Sequence, residues 1–439
     1  MGDRLSRRQF IELGTAAAAG AFLIGCSQSG QQADIYIPPL LDAAPDGPEL
    51  KAGLVGCGGR GTGAALNFLD AGPNLRIAAL ADLFTDRVEG TRERLRKEKQ
   101  VEVPDEDIYL GFDAYKRLID SDVDIVILAT PPYFRPMMFE YAVNAKKHIF
   151  MEKPVAVDPV GARSIMATAR KAENMGLQVS TGTQRRHQRD YLGAYQAIAG
   201  GAIGDIVAAN AYWDQNQLWY REWKKGWSEM EYMVRDWVNW TWLSGDHIVE
   251  QHVHNLDVIN WFTGSHPVSA VSYGARQRRV TGDQFDMFST DYIYENGMHM
   301  HSMCRQINGT HNNVSEWIVG TKGVSNCQNE IQSHNGKTVW SYEYPSDESG
   351  ETTGRVKISP YVQEHIDLVT NIRNNTPIVE AEDTAVSTLT AIMGRISAYT
   401  GKEVTWDEMM SSDLQVGPNQ FSLGPVSDVN KSVPVPGTA

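Results

Sequence analysis

Short apolar runs without polar alternation punctuate the first half of the chain: Leu54–Val55, Ile77–Ala81, Ile125–Ala129, Ile149–Met151 and Val179–Ser180. Stretches with helical spacing lie between them, at Val88–Lys97, Met137–Ala145 and Val160–Met175. A strand that is apolar on both sides must be covered on both sides. The alternation therefore predicts a doubly wound parallel sheet flanked by helices, over residues 49–183. The pattern then changes. Asp286–Tyr294 and Met298–Ile307 flank Glu295-Asn296-Gly297, and Asn-Gly between two strand-like runs predicts a hairpin. Ile206–Tyr212, Val268–Tyr273, Glu316–Val319 and Thr338–Tyr344 predict further strands, with late helices at Tyr361–Asn374 and Glu382–Thr400. The expected fold is α/β followed by an α+β domain, residues 184–417, with an open, mainly antiparallel sheet. The chain from 418 to 439 reads as an extended tail.

The first strand runs straight into Gly56-Cys57-Gly58-Gly59-Arg60-Gly61, the G-x-G-x-x-G spacing of a Rossmann nucleotide turn. Gly56 permits the tight strand-to-helix turn, Gly58 leaves room for a pyrophosphate, and Gly61 lets helix and strand approach closely. The free N–H groups at the start of the next helix face the phosphates. The second strand ends in Asp82, placed to accept hydrogen bonds from both hydroxyls of an adenine ribose. Its charge would repel a 2′-phosphate, which favours NAD over NADP; nearby Arg87 is the opposing feature.

At the amino terminus, Ser6-Arg7-Arg8-Gln9-Phe10 precedes the apolar run Leu13–Ile24 and then Leu23-Ile24-Gly25-Cys26. Residues 1–25 read as a signal peptide too short to span a membrane stably. The Arg pair resembles a twin-arginine export signal and Leu-Ile-Gly-Cys a lipobox, which would make Cys26 a lipid anchor. Residues 26–48 read as a flexible tether. An uncleaved membrane anchor is the alternative. Twin-arginine export carries folded proteins, which suits an enzyme that must load its nucleotide before leaving the cytoplasm.

Composition narrows the partners. The formal charge is −14 and no basic block occurs, which argues against a nucleic-acid partner. Of four cysteines, only Cys304 and Cys327 are left for pairing outside the lipobox and the phosphate turn, and both read as buried strand residues.

Several segments together resemble the Gfo/Idh/MocA family: Gly56–Gly61, Asp82, Asp124 to Thr130-Pro131-Pro132, Glu152-Lys153-Pro154, Gly201–Gly204 and Glu250–Asp257. Glu364–Arg373 and Gly401–Trp406 extend the resemblance over about residues 50–408. It implies a Rossmann domain joined to an open-sheet domain that carries the substrate site and often the oligomer contacts. It also implies an NAD(P)-dependent oxidoreductase acting on a sugar-type carbinol. Gly56, Gly58, Gly59, Arg60, Gly61, Asp82, Thr130, Pro131, Glu152 and Lys153 are then the cofactor-binding set.

Hydride leaves a carbinol carbon only as its hydroxyl proton is removed, so the reaction needs a base and a group to stabilise negative oxygen. Glu250, His254 and Asp257 fall at i, i+4 and i+7, on one face of an expected helix. His254 is the candidate base, Glu250 its orienting carboxylate, and Lys153 the cation beside nicotinamide and substrate oxygen. Lys153 and His254 carry over from the family pattern; Glu250 stands where the family more commonly has Asp and could instead touch substrate. A zinc site on His247, Glu250 and His254 is the competing reading, with His252 facing away. Seven of eleven tryptophans lie between Trp213 and Trp242. Most suit a packed subdomain, with Trp219 or Trp237 as pocket-border candidates. Arg185 and Arg186 fit either a ligand contact or surface charge.

Outside the cytoplasm a dissociable NADH would not be regenerated, so the cofactor is expected to be tightly held and internally recycled. A sugar oxidoreductase, running as a coupled exchange of hydride between two sugars, fits that condition. So does glycosidic cleavage through a transient keto sugar, resembling glycoside hydrolase family 109. A non-catalytic sugar-binding lipoprotein is the remaining alternative. A homo-oligomer is expected from the family resemblance.

Overall fold

The computed structural model describes residues 40–347 and 349–438. The signal segment, Cys26 and the tether up to residue 39 lie outside the described residues. Six strands, β1 (Leu50–Val55), β2 (Leu75–Asp82), β3 (Ile108–Leu110), β4 (Ile125–Leu128), β5 (His148–Met151) and β6 (Val179–Thr181), form one sheet in the order β3-β2-β1-β4-β5-β6. Every pair is parallel. The connecting helices are α1 (Gly59–Leu69), α2 (Thr85–Lys99), α3 (Ala114–Ile119), α4 (Arg135–Asn144) and α5 (Pro159–Asn174). Strand order reverses between β1 and β4, so the crevice outside their carboxyl ends is where a doubly wound sheet takes its ligand. The edge strand β3 has only three residues, none of them fully buried, which is why no apolar run announces it.

The second sheet contains β7 (Ile206–Gln215), β8 (Pro267–Ala275), β9 (Met287–Tyr294), β10 (His299–Gln306), β11 (Asn313–Gly320), β12 (Gly323–Ser325), β13 (Glu330–Ser333), β14 (Thr338–Ser341) and β15 (Val404–Thr405). Its order is β14-β13-β12-β11-β7-β10-β9-β8-β15, antiparallel except for the parallel pair β7–β10. The Asn-Gly hairpin joins β9 to β10 as expected. The helices of this half are α6 (Arg189–Ala199), α7 (Glu229–Arg235), α8 (Thr241–Ser244), α9 (His247–Glu250), α10 (Val253–Thr263), α11 (Pro360–Asn374), α12 (Ala381–Thr400) and α13 (Trp406–Ser411). Burial alternates along β9 and β10, so one face is packed and the other open. Helices α10 and α12 lie on the packed face. The open face presents Asp291, His301, Trp317 and Tyr273.

Two expectations on organisation are corrected. The nucleotide domain is not continuous in sequence: α11 returns to it, and Ile366, Leu368 and Val369 share a core with Phe68 and Phe150. Residues 40–48 are not a loose tether. Ala44 is buried and donates to the Ala71 carbonyl, Asp42 pairs with Arg189 and Lys357, and Arg373 donates to carbonyls of Pro45 and Pro48. The tail lacks regular elements but is packed, with Val426 and Val429 buried and Phe421 against Phe112, Tyr133 and Phe134. Cys304 and Cys327 are free and buried; Cys304 lies on β10, whereas Cys327 sits in a turn with φ 61°.

Candidate active site at the carboxyl ends of the parallel strands

The glycine turn has the shape a pyrophosphate requires. Gly56 has φ 96°, and a Cβ there would lie 2.7 Å from the backbone of Ala129 and Thr130. At Gly61 it would lie 1.9 Å from the Gly56 carbonyl oxygen. At Gly58 and Gly59 it would meet nothing within 4 Å. Gly56 and Gly61 are thus required by the protein's own packing, and Gly58 and Gly59 border open space at the start of α1. Gly58→Ala should therefore fold with unchanged thermal stability yet lose NAD affinity, while Gly61→Ala should lower the melting temperature. Calorimetry with and without nucleotide separates the two.

Asp82 ends β2 beside this turn. Its carboxylate accepts from the N–H groups of Cys57 (2.7 Å) and Phe84 (2.9 Å), leaving further lone pairs on each oxygen. Burial pushes its carboxyl up from the usual range, against the pull of those N–H groups. After β4 the Ala129–Thr130 peptide lies against Gly56, and Pro131 follows it. Arg60 lies 3.0 Å from Glu152 and over the Tyr361 ring. Glu152 leaves no room for a side chain at Gly182. The glycines, Asp82, Thr130, Pro131, Arg60 and Glu152 therefore surround one crevice, and their chemistry fits a dinucleotide.

Lys153 follows β5 into the same crevice. Its Nζ donates to the Glu250 carbonyl oxygen at 2.6 Å and to Glu250 Oε1 at 3.2 Å, and both side chains are about nine-tenths buried. This contact joins the two domains. It also corrects the role given to Glu250, which does not bond to His254. The cause is a break in the expected helix. The His247 carbonyl accepts from both Gln251 and His252, closing a wide turn, and α10 starts afresh at Val253. Asp246 fixes that turn by capping His247 and accepting from Phe285 N–H and the Tyr399 hydroxyl. The i, i+4 relation between Glu250 and His254 is lost across the break.

His254 stacks on Trp213, with ring centroids 5.5 Å apart. Neither imidazole nitrogen has a hydrogen-bond partner among the described residues. Burial first, then the Lys153 and Arg185 charges, hold its pKa well below the usual value. The ring is neutral at pH 7 and able to accept a proton.

The remaining candidates are placed by their partners. Asp257 does not line the site: it takes Arg186 through two 2.9 Å bonds and accepts from Ser387. Arg185 is mostly buried, ion-paired to Glu316 and 5.6 Å from the Trp213 ring. Neither arginine is surface charge. His252 donates to or accepts from Ser302 at 2.6 Å, and burial pushes its pKa down to about 3. His247 contacts Asp246 and the Phe288 ring, away from His254. Among the described residues no group of three His, Cys, Asp or Glu is placed to hold a metal ion. Trp219 and Trp237 meet each other edge-on, and the ring stacked on His254 is Trp213. Trp213 lies near the end of β7 on the side facing α10, a placement that a tryptophan count does not reveal.

Comparison with known proteins agrees with the fold. Residues 50–181 match the family described as "Oxidoreductase family, NAD-binding Rossmann fold", and residues 191–325 match the "GFO/IDH/MocA C-terminal domain". An inositol 2-dehydrogenase of Rubrobacter xylanophilus is 29% identical over 219 residues, 49% of this chain and 53% of that protein. Glycosyl hydrolase family 109 protein 1 of Bacteroides fragilis is 26% identical over 243 residues, 54% of this chain and 51% of that protein. The chain thus matches about half the length of these curated relatives. Scyllo-inositol dehydrogenase from Lactobacillus casei, solved with bound NAD(H) and scyllo-inositol, superposes with a TM-score of 0.59 at 21% identity, over 81% of this chain and 99% of that one. Aldose-aldose oxidoreductase from Caulobacter crescentus gives a TM-score of 0.61 at 18% identity, over 81% and 99%.

Proposed function

This chain belongs to the Gfo/Idh/MocA family of NAD-binding oxidoreductases, and on that basis we propose that it oxidises a carbinol of a carbohydrate or cyclitol, with NAD held throughout the cycle. The observation that carries the reading is a buried, neutral His254 close to Lys153, at the crevice formed by the glycine turn, β4 and β5. His254 takes the substrate hydroxyl proton. Lys153, oriented by Glu250, stabilises the oxygen as it becomes negative. Trp213 offers an apolar edge to the C–H face of a ring substrate and keeps water from the base. NAD, when bound, supplies the acceptor for the hydride.

Retention of the cofactor follows from the export reading, in which the folded protein leaves the cytoplasm on its twin-arginine signal and is anchored through Cys26. Arg7→Lys with Arg8→Lys should leave precursor in the cytoplasm, and Cys26→Ser should abolish lipid labelling. Normal processing and labelling in both would reject this localisation. Denaturing protein purified without added nucleotide should release NAD, and release of NADP would overturn the role of Asp82.

A retained cofactor must return its hydride. Hydride exchange between two sugars meets this condition. A second reading, glycosidic cleavage, draws support from the family 109 relative, whose match is as extensive as that of the inositol dehydrogenase. There the keto group acidifies the neighbouring C–H, loss of that proton expels the aglycone, water adds, and the keto group is reduced again. Free aglycone from a glycoside panel would select this reading; an oxidised sugar beside a reduced one would select the first. The open sheet face bearing Trp317 and Tyr273 is the surface we assign to a homo-oligomer contact.

A further inference from the structure

The tryptophan-rich segment between β7 and α8 reaches the start of α2, at the same carboxyl edge of the parallel sheet as Lys153 but beyond β2 rather than β5. Its helix α7 delivers Arg235, whose Nη1 and Nη2 donate to Asp86 Oδ2 and Oδ1 at 3.1 and 2.9 Å. The same guanidinium lies 3.8 Å from the Phe84 ring centroid and 5.1 Å from that of Trp227. Its Nε donates to Glu231 Oε1 at 2.9 Å. Phe84 precedes α2 as its N-cap and Asp86 lies in its first turn, just after Asp82 at the carboxyl end of β2, where a doubly wound sheet receives the adenosine ribose. Helix α7 is also fixed from behind by the tail. Met230 N–H donates to the Gly424 carbonyl, and Glu229 accepts from Val426 N–H at 2.7 Å and Lys431 Nζ at 2.6 Å. The first turn of α7 is thus held by the tail and its last turn by the nucleotide domain.

We propose that Arg235 is a clasp that retains the cofactor: its bridge to Asp86 and its stacking on Phe84 tie the second domain across the adenosine end of the nucleotide site. The proposal rests on the reading that NAD is held through the cycle. Asp86 is well exposed, so a plain ion pair there would contribute little. The bidentate geometry and the aromatic face under an arginine only 14% exposed give the contact its strength. Release of the adenosine end then requires all of these contacts to open together, which slows dissociation rather than association.

The test is the rate at which NAD leaves the loaded full-length protein, followed by trapping released nucleotide with an NAD-consuming enzyme. Arg235→Ala should speed release by roughly tenfold, because it removes the bidentate fork and the stacking on Phe84 together. Asp86→Asn should speed it by a smaller factor, and Arg235→Lys should fall between, since lysine keeps the charge but not the fork or the stacking. Thermal unfolding is measured alongside; if Arg235→Ala does not fold, Asp86→Asn decides. Fast release from the wild type would overturn the retention reading itself. Slow release from the wild type and from all three variants would overturn the clasp alone.

Discussion

His254→Ala is expected to lower turnover by roughly 10²–10⁴, the usual loss for a removed acid–base group, while bound NAD is unchanged. The base has no substitute nearby. Glu250 is occupied by Lys153, Asp257 by Arg186, and His252 by Ser302. The pH profile of the wild type carries a second signature. Because burial and the Lys153 and Arg185 charges lower the His254 pKa, the imidazole stays neutral as pH falls through the ordinary histidine range. The acid limb of kcat/KM should therefore lie below pH ~6.5, the unperturbed histidine value. A limb at or above that value, or near-wild-type turnover in His254→Ala, would remove His254 from the mechanism.

Lys153→Met should have two separable effects. Turnover should fall by roughly 10²-fold or more, because the developing alkoxide loses its cation. Stability should fall by about 3–5 kcal/mol, the cost of leaving one partner of a buried ion pair unpaired. Adding Glu250→Gln should restore most of the stability and none of the turnover. Glu250→Asp keeps the charge but withdraws it from Lys153 Nζ, so it should cost less turnover than Lys153→Met. Recovery of turnover in the double variant would show that Lys153 acts only by neutralising Glu250. Chemical denaturation and steady-state rates on the same preparations supply both readings.

The parallel half of the fold was legible because its strands are short, apolar on both faces and separated by long helical spacings. The glycine turn was legible for a stronger reason: close packing allows only glycine at Gly56 and Gly61. The candidate site was half legible. His254 and Lys153 could be named one at a time, but their relation could not, because Lys153 reaches a residue 97 positions away in the other domain. Counting i, i+4 and i+7 assumed one unbroken helix through Glu250, His254 and Asp257. The break is imposed by Asp246, held by Phe285 and Tyr399, and by His252 on Ser302, none of which is local. Trp213 escaped notice for the same reason, since its value as a platform depends on α10 lying across β7. Residues 40–48 looked loose, and the packing of the extended tail went unseen, because their anchors, Arg373, Arg189 and Phe421 among them, are distant contacts without a periodic signal.

The most direct measurement of the central claim uses substrate carrying deuterium on the carbinol carbon and enzyme as purified, with no added nucleotide. The account predicts many turnovers, deuterium still bound to carbon in the products, and no NADH in solution. Release of one NADH per substrate oxidised, with turnover stopping unless NAD is supplied, would contradict it.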